Sequence, residues 1–409
     1  MTMTAARQFP WSPEAELLIW CARTCVTEEL RAQICARVQE PLDWGLILDL
    51  AAYHGVLPLL YRSLSTSCPA LVPAEILTKL RQKTQACALL NRSLAQELGR
   101  LCDAFAADHV PVVPIKGATL ALSAYGDLAL RDFSDLDLLI PESAIGAAQA
   151  VLYAQGYERK DPSTDPAEAE HEEGPYHVFV KKRSLFRVDL QWIMAHQHFA
   201  FHMDRPEFWA HRSPVMLGNS TVHALAPEEL LILLCVHGSK HAWELLKWVC
   251  DVAEVLRSHP GLDWERIFSH AEAWRCQRLV YIGLALAQRV LDAPIPEAVR
   301  ARYSADADIR MFSERMPASL LASPRNGISE EQAAAFYFML KDTWWERWRF
   351  GLVLCRDGAS VVANPPSWFS QGRGLARLSH LVRPCQQAVR NLVPSSIRGA
   401  LNRWVEHGG

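Results

Sequence analysis

Hydrophobic positions in the first quarter of the chain recur at helical spacing. Leu17, Leu18, Cys21 and Cys25 form one stripe. Trp44, Leu46, Ile47, Leu50 and Ala51 form another, closed by His54-Gly55 with Pro58 beyond, a combination that stops helices. A third helix is predicted over about 73–108, with Leu89, Leu90, Leu94, Leu98 and Leu101 as its apolar face. The period then changes. Residues 110–115 are a β-branched run that reads as a buried strand, interrupted by Lys116-Gly117. A short helix is predicted over 118–125, a second strand over 135–140 with Pro141 ending it, and a helix over 143–155 ahead of Gly156. Residues 159–174, rich in Asp, Glu, Pro and Ser, read as a loop. Two more strands are predicted at 176–180 and 186–192, joined by the turn-like 181–184. From Pro227 the pattern is helical again, with proline and two glutamates suited to a first turn, and it continues to about Val290. Pro294 and Pro296 break it.

Strands with interspersed helices between two helical blocks predict an α+β (mixed α/β) chain. The expected units are an N-terminal helical region (1–95), a core of strands with interspersed helices (96–225), a second helical region (226–310), and a C-terminal helical region with a basic tail (311–409).

Composition narrows this picture. The 409 residues are 50% hydrophobic, enough for one large core or two to three smaller ones. A formal net charge of −3 supplies no global basic field for nucleic acid. Eleven cysteines are scattered without zinc-finger spacing, which reads as reduced thiols in a cytoplasmic protein. No apolar run is long enough for a spanning helix. The tail carries Arg373, Arg377, Arg383, Arg390, Arg398 and Arg403 beside Leu375, Leu378, Leu381 and Val382. Such a segment either packs on the body or touches an anionic membrane or partner protein.

The candidate chemistry lies in Ser134-Asp135-Leu136-Asp137-Leu138-Leu139-Ile140. Alternate residues of a strand share a face, so Asp135 and Asp137 project together about 6–7 Å apart while Leu136, Leu138 and Ile140 face a core. Two carboxylates so placed repel each other unless a cation lies between them. Mg²⁺ takes oxygen ligands and commonly combines carboxylates with substrate phosphates, an arrangement suited to phosphoryl or nucleotidyl transfer. Asp189, flanked by Val188 and Leu190 on another predicted strand, is the candidate third acid. It would bind a second metal or accept a proton from an incoming hydroxyl.

These residues, with Lys116-Gly117, resemble the signature of the DNA polymerase β-like nucleotidyltransferase superfamily. Further pieces resemble a bacterial family of uncharacterised nucleotidyltransferases: Trp44 through Leu60, Ile115-Lys116-Gly117-Ala118, Tyr125, Arg131, Val188 through Trp192, and His237-Gly238-Ser239-Lys240-His241-Ala242-Trp243. The resemblance spans roughly residues 40–300. It implies a polymerase β-like core with a small mixed sheet over 96–225, a helical domain over 226–310 closing its cleft, Asp135, Asp137 and Asp189 as catalytic metal ligands for Mg²⁺ (or Mn²⁺), and an NTP donor, ATP foremost. The acceptor it leaves open is a small molecule, a saccharide or a protein. One departure stands out: the superfamily turn carries Gly-Ser, whereas here it is Lys116-Gly117-Ala118. The lysine would meet phosphate as a point charge.

Lys116, Gly117, Arg131, Ser134, Lys240 and His241 are the expected nucleotide-binding residues. Arg131 would contact a phosphate or pair with Asp135, or else pair at the surface with Asp127 or Asp132. His237, Lys240 and His241 share one helix face, and Lys247 is expected two turns further along the same helix. His196, His198, His202 and His211 match no metal spacing and read as a solvated, aromatic-rich loop. The expected function is Mg²⁺-dependent transfer of a nucleoside monophosphate with pyrophosphate release. The alternatives are a catalytically silent nucleotide-binding or scaffold protein and an enzyme that adds AMP to a protein side chain.

Overall fold

The computed structural model describes residues 11–160, 176–182, 184, 186–196, 199–203, 205–218, 220–321, 336–338 and 340–341. Most of the predicted 159–174 loop, His198 and the basic tail lie outside the described residues.

The N-terminal block is α1 (Pro13–Cys21), α2 (Glu28–Val38), α3 (Trp44–Tyr53) and α4 (Leu57–Ser67). Ser12, Thr27 and Asp43 cap the first three through side-chain acceptors, as short polar residues at that position do. The long α5 (Ala74–Ala107) follows. Then come β1 (Val113–Pro114), α6 (Gly117–Ser123), β2 (Leu136–Leu139), α7 (Ile145–Ala154), β3 (Tyr157–Arg159), β4 (Tyr176–Lys181) and β5 (Arg187–Gln191).

These strands form one mixed sheet in the order β1-β2-β5-β4-β3. The β2–β5 pair is parallel and the other pairs are antiparallel. The fold is therefore the mixed helix-and-sheet class expected. Leu136, Leu138, Val188, Leu190 and Phe179 pack beneath the sheet with Leu94, Leu98, Leu101 and Phe105 of α5 and with Val151 and Leu152 of α7.

A larger core joins α1–α4 to the helices after Pro227: α9 (Pro227–Lys240), α10 (Leu246–Ser258), α11 (Trp264–Ala273) and α12 (Gln277–Leu291). The two helical blocks thus share one apolar interior, and α5 enters both cores, through Ile76 and Leu80 at one end and Leu94 to Phe105 at the other. The expected division at residue 95 falls inside α5. Among the described residues no helix is long and apolar enough to cross a membrane.

Three readings need correction. Leu89 is 64% exposed. At that height α5 turns Asn91 inward instead, where its amide donates to the carbonyls of Leu128 and Arg131 at 2.6 and 2.8 Å. A buried loop needs those donors more than the helix needs another leucine.

The segment around His196–His211 is not a solvated loop. It forms a hairpin, β6 (Ile193–His196) and β7 (Phe199–His202), then the short α8 (Pro206–Ala210), which leads into a second hairpin, β8 (Arg212–Leu217) with β9 (Ser220–Leu225). Phe201 and Phe208 are buried against Trp274, and His211 faces the buried Glu229 at 3.4 Å.

Lys247 does not continue the helix of Lys240. Ala242 and Trp243 both adopt left-handed φ values, 47° and 59°, and separate α9 from α10. The cause is tertiary. Trp243 is fully buried, and its ring fills a notch where a Cβ on Gly238 would lie 2.5 Å from it and a Cβ on Gly283 would lie 3.1 Å from it. The chain reverses to put the ring there, with Trp243 N–H donating to Gly238 O at 2.8 Å.

Candidate active site

The strand register brings the acids together. Asp137 of β2 lies directly opposite Asp189 of β5, and neighbouring strands run about 4.8 Å apart. Both side chains leave the face opposite the leucine core and are buried, at 9% and 8% exposure. Asp135 stands just ahead of β2 and is half-buried, and Ser134 before it is exposed.

Burial, then repulsion from Asp137, pushes the Asp135 carboxyl up to about 6, against a counter-pull from Lys116. Burial likewise raises Asp189, opposed by its hydrogen bonds from Arg187 and added to by Asp137. The three acids therefore sense one another, as carboxylates sharing a site do.

Two basic side chains hold Asp137 and Asp189. Lys116 Nζ lies 3.2 Å from Asp137 Oδ2 and 3.4 Å from His237 Nδ1. Arg187, two residues before Asp189 and hence on the same strand face, donates from Nε and Nη2 to Asp189 Oδ1 and Oδ2 at 2.7 and 3.1 Å. Gln191, two residues after it, donates from Nε2 to Asp137 Oδ1 at 2.6 Å. Arg187 and Gln191 were absent from the expected site, although the two-residue period places both on its face.

Lys116 is fixed by the turn it heads. Gly117 has φ +59°, which a residue with a Cβ rarely adopts, and Thr119 Oγ1 donates to Lys116 O at 2.8 Å. Ile115 N–H donates to Asp137 O, tying this turn to β2.

The end of α9 forms the facing wall. His237 is held well below its usual range by burial and then by Lys116, so it stays neutral and its Nδ1 accepts from the lysine. Lys240 is pushed down to about 8 by burial and by Lys116, while Asp137 and Asp189 pull the other way. Its ammonium lies 5.7 Å from the centre of the Tyr176 ring. His241 stacks on Trp248 with ring centres 4.9 Å apart. Lys240 thus sits close enough to the acids to feel their charge, and His241 sits beside it.

Arg131 is placed differently from each reading offered above. It is buried and bidentate to Asp251 of α10, at 2.8 Å for both Nε–Oδ1 and Nη2–Oδ2. Tyr125 OH donates to the same Oδ1 at 2.7 Å. Both carboxylate oxygens are engaged, so Arg131 braces the entry to β2 against α10.

Among the described residues no group of three or more His, Cys, Asp or Glu side chains is arranged to hold a metal ion. The buried carboxylates are hard oxygen donors of the kind Mg²⁺ takes. Asp137 and Asp189, however, are turned toward Lys116, Gln191 and Arg187, so the donor set fits a divalent cation only once those partners give way.

With this geometry in hand, the family model described as "Uncharacterised nucleotidyltransferase" matches residues 40–292, more than half of the chain. The chain belongs to this nucleotidyltransferase family. The match includes α3, the whole sheet, and α9 to α12. At the coarse level it makes the chain a member of a transferase family. A crystal structure of an antigenic nucleotidyltransferase-like protein from Paracoccidioides brasiliensis is similar over 50% of this chain and 95% of its own, at 14% identity and a TM-score of 0.35. No curated protein matches this nucleotidyltransferase-family chain.

Proposed function

We propose that the chain transfers a nucleoside monophosphate from an NTP, ATP first among them, to an acceptor hydroxyl, phosphate or side chain, releasing pyrophosphate. The observation that carries this is the in-register pair Asp137 and Asp189 on adjacent parallel strands, with Asp135 two residues ahead. Asp135, Asp137 and Asp189 would hold Mg²⁺ or Mn²⁺, which when bound neutralises phosphate charge and polarises the α-phosphate for in-line attack.

The protein groups divide the remaining work. Asp189, its proton affinity raised by burial, is suited to take the proton of the attacking hydroxyl. Lys116 and Lys240 supply positive charge toward the phosphates, and the left-handed turn at Gly117 fixes where Lys116 starts. His241, backed by Trp248, offers a ring edge to the nucleotide. Ser134, exposed ahead of Asp135, lies where a side-chain hydroxyl can reach a ligand from solvent. Arg131 acts through position, by holding the segment ahead of Asp135.

The test is pyrophosphate release from each NTP with Mg²⁺. Asp137→Ala is expected to lower the rate at least a hundredfold with the fold retained. Equal rates in wild type and variant would sink the reading. Labelled ATP added to a cell lysate separates acceptors, because protein modification would leave label in a protein band.

One observation favours a second reading. Lys116 occupies a cation's place beside Asp137, which suits a protein that binds nucleotide without turning it over. Thermal stabilisation by nucleotide with Mg²⁺, and no pyrophosphate from any NTP, would support it.

A further inference from the structure

Two of the three acids of this site are already paired from within. Each has a basic group in direct contact, Lys116 on Asp137 and Arg187 on Asp189. Gln191 fills the other oxygen of Asp137. A divalent ion brought to the same oxygens would meet two positive charges at contact distance beside buried carboxylates, where such repulsion is little screened.

Both basic groups also have somewhere to go. Lys116 is within 3.4 Å of His237 Nδ1, an acceptor that stays available if the lysine leaves Asp137. Arg187 has a side chain 43% exposed, so its guanidinium can swing outward and trade the Asp189 contact for hydration. What would draw them off is a ligand carrying more negative charge than the metal brings positive, and a triphosphate is such a ligand.

We propose that Lys116 and Arg187 are built-in counter-cations that compete with a divalent ion for Asp137 and Asp189, so that the site rejects free metal and accepts it only with a phosphate-bearing ligand. This rests on the nucleotidyl-transfer reading, but it concerns metal selection and not turnover. It also accounts for the Lys116-Gly117-Ala118 turn. Where a serine at the turn would only donate a hydrogen bond to phosphate, a lysine at its head does so and screens the acids when phosphate is absent.

The experiment is calorimetric titration of the full chain with Mn²⁺ alone, and separately with the preformed complex of Mn²⁺ and an ATP analogue bearing a methylene at the α–β bridge. Wild type is expected to bind the complex at least tenfold more tightly than free Mn²⁺. Lys116→Gln and Arg187→Gln are each expected to raise free-Mn²⁺ affinity several-fold. Arg187 is half exposed, so that variant keeps the test alive should the buried Lys116→Gln protein fail to fold. Free Mn²⁺ bound by wild type as tightly as by Arg187→Gln would overturn the inference, and pyrophosphate release would then leave the transfer reading standing. Failure of wild type and variants alike to bind the complex would overturn both.

Discussion

The Arg131–Asp251 pair separates a structural arginine from a ligand-binding one, because the two roles respond oppositely to Asp251→Asn. The side chains are 7% and 1% exposed, and both guanidinium–carboxylate bonds are 2.8 Å. The variant removes the negative charge and turns an amide N–H toward Arg131 Nη2, leaving a buried guanidinium with one acceptor. Breaking a buried pair by altering one partner typically costs about 3–5 kcal/mol. Tyr125→Phe, which loses only the hydroxyl donor to the Asp251 carboxylate, should cost about 1.5–3 kcal/mol. Arg131→Met with Asp251→Leu removes both charges and should recover much of the single-variant loss, since paired contacts are not additive. Hydrogen exchange read by mass spectrometry over 128–137 and 246–258 reports the loss where it occurs. Each 1.4 kcal/mol is tenfold, so exchange in Asp251→Asn should quicken by about a hundredfold or more in both segments, with the sheet's far edge at 157–159 affected less. Exchange within about threefold of wild type, together with lost nucleotide binding, would refute the brace and return Arg131 to the ligand.

Two further outcomes follow from buried groups outside the acid cluster. His54 is fully buried, accepts Leu246 N–H at 3.3 Å, and is pushed down by burial from its usual 6.5 to about 4. The unfolded chain therefore binds a proton that the folded chain refuses, and stability should fall by about 3 kcal/mol as pH drops from 6.5 toward 4. His54→Gln should flatten that limb in urea titrations at several pH values, and an unchanged slope would count against it. Gly238→Ala puts a Cβ 2.5 Å from the Trp243 ring and should cost about 1–3 kcal/mol by overpacking, despite alanine's better helix propensity. A smaller ring site, Trp243→Leu, should absorb much of that cost in the double variant, and strict additivity in denaturation midpoints would argue that the notch is not the cause.

The acid cluster was legible in the sequence because it depends on a local rule. A two-residue period with leucines on one side leaves aspartates on the other, and the same rule, applied two residues either side of Asp189, reaches Arg187 and Gln191. The register that sets Asp137 against Asp189 is a different kind of fact: the two strands are parallel, come from distant parts of the chain, and are matched by packing beneath the sheet. Arg131 finds its partner 120 residues away, beyond anything spacing can show, and every nearby aspartate made a plausible wrong partner. The break after His241 was hidden for a related reason. His237 to Lys247 carries no proline, and the glycine it holds, Gly238, lies inside α9 as the floor for a tryptophan five residues on. A helix pattern continues through such a segment on paper, but the notch formed with Gly283 rewards burying Trp243 more than extending the helix. That reversal brings α10 back beneath the site, so that Trp248 backs His241 and Asp251 secures Arg131. The same side chain that ends the helix therefore helps determine which basic groups are left to face the acids.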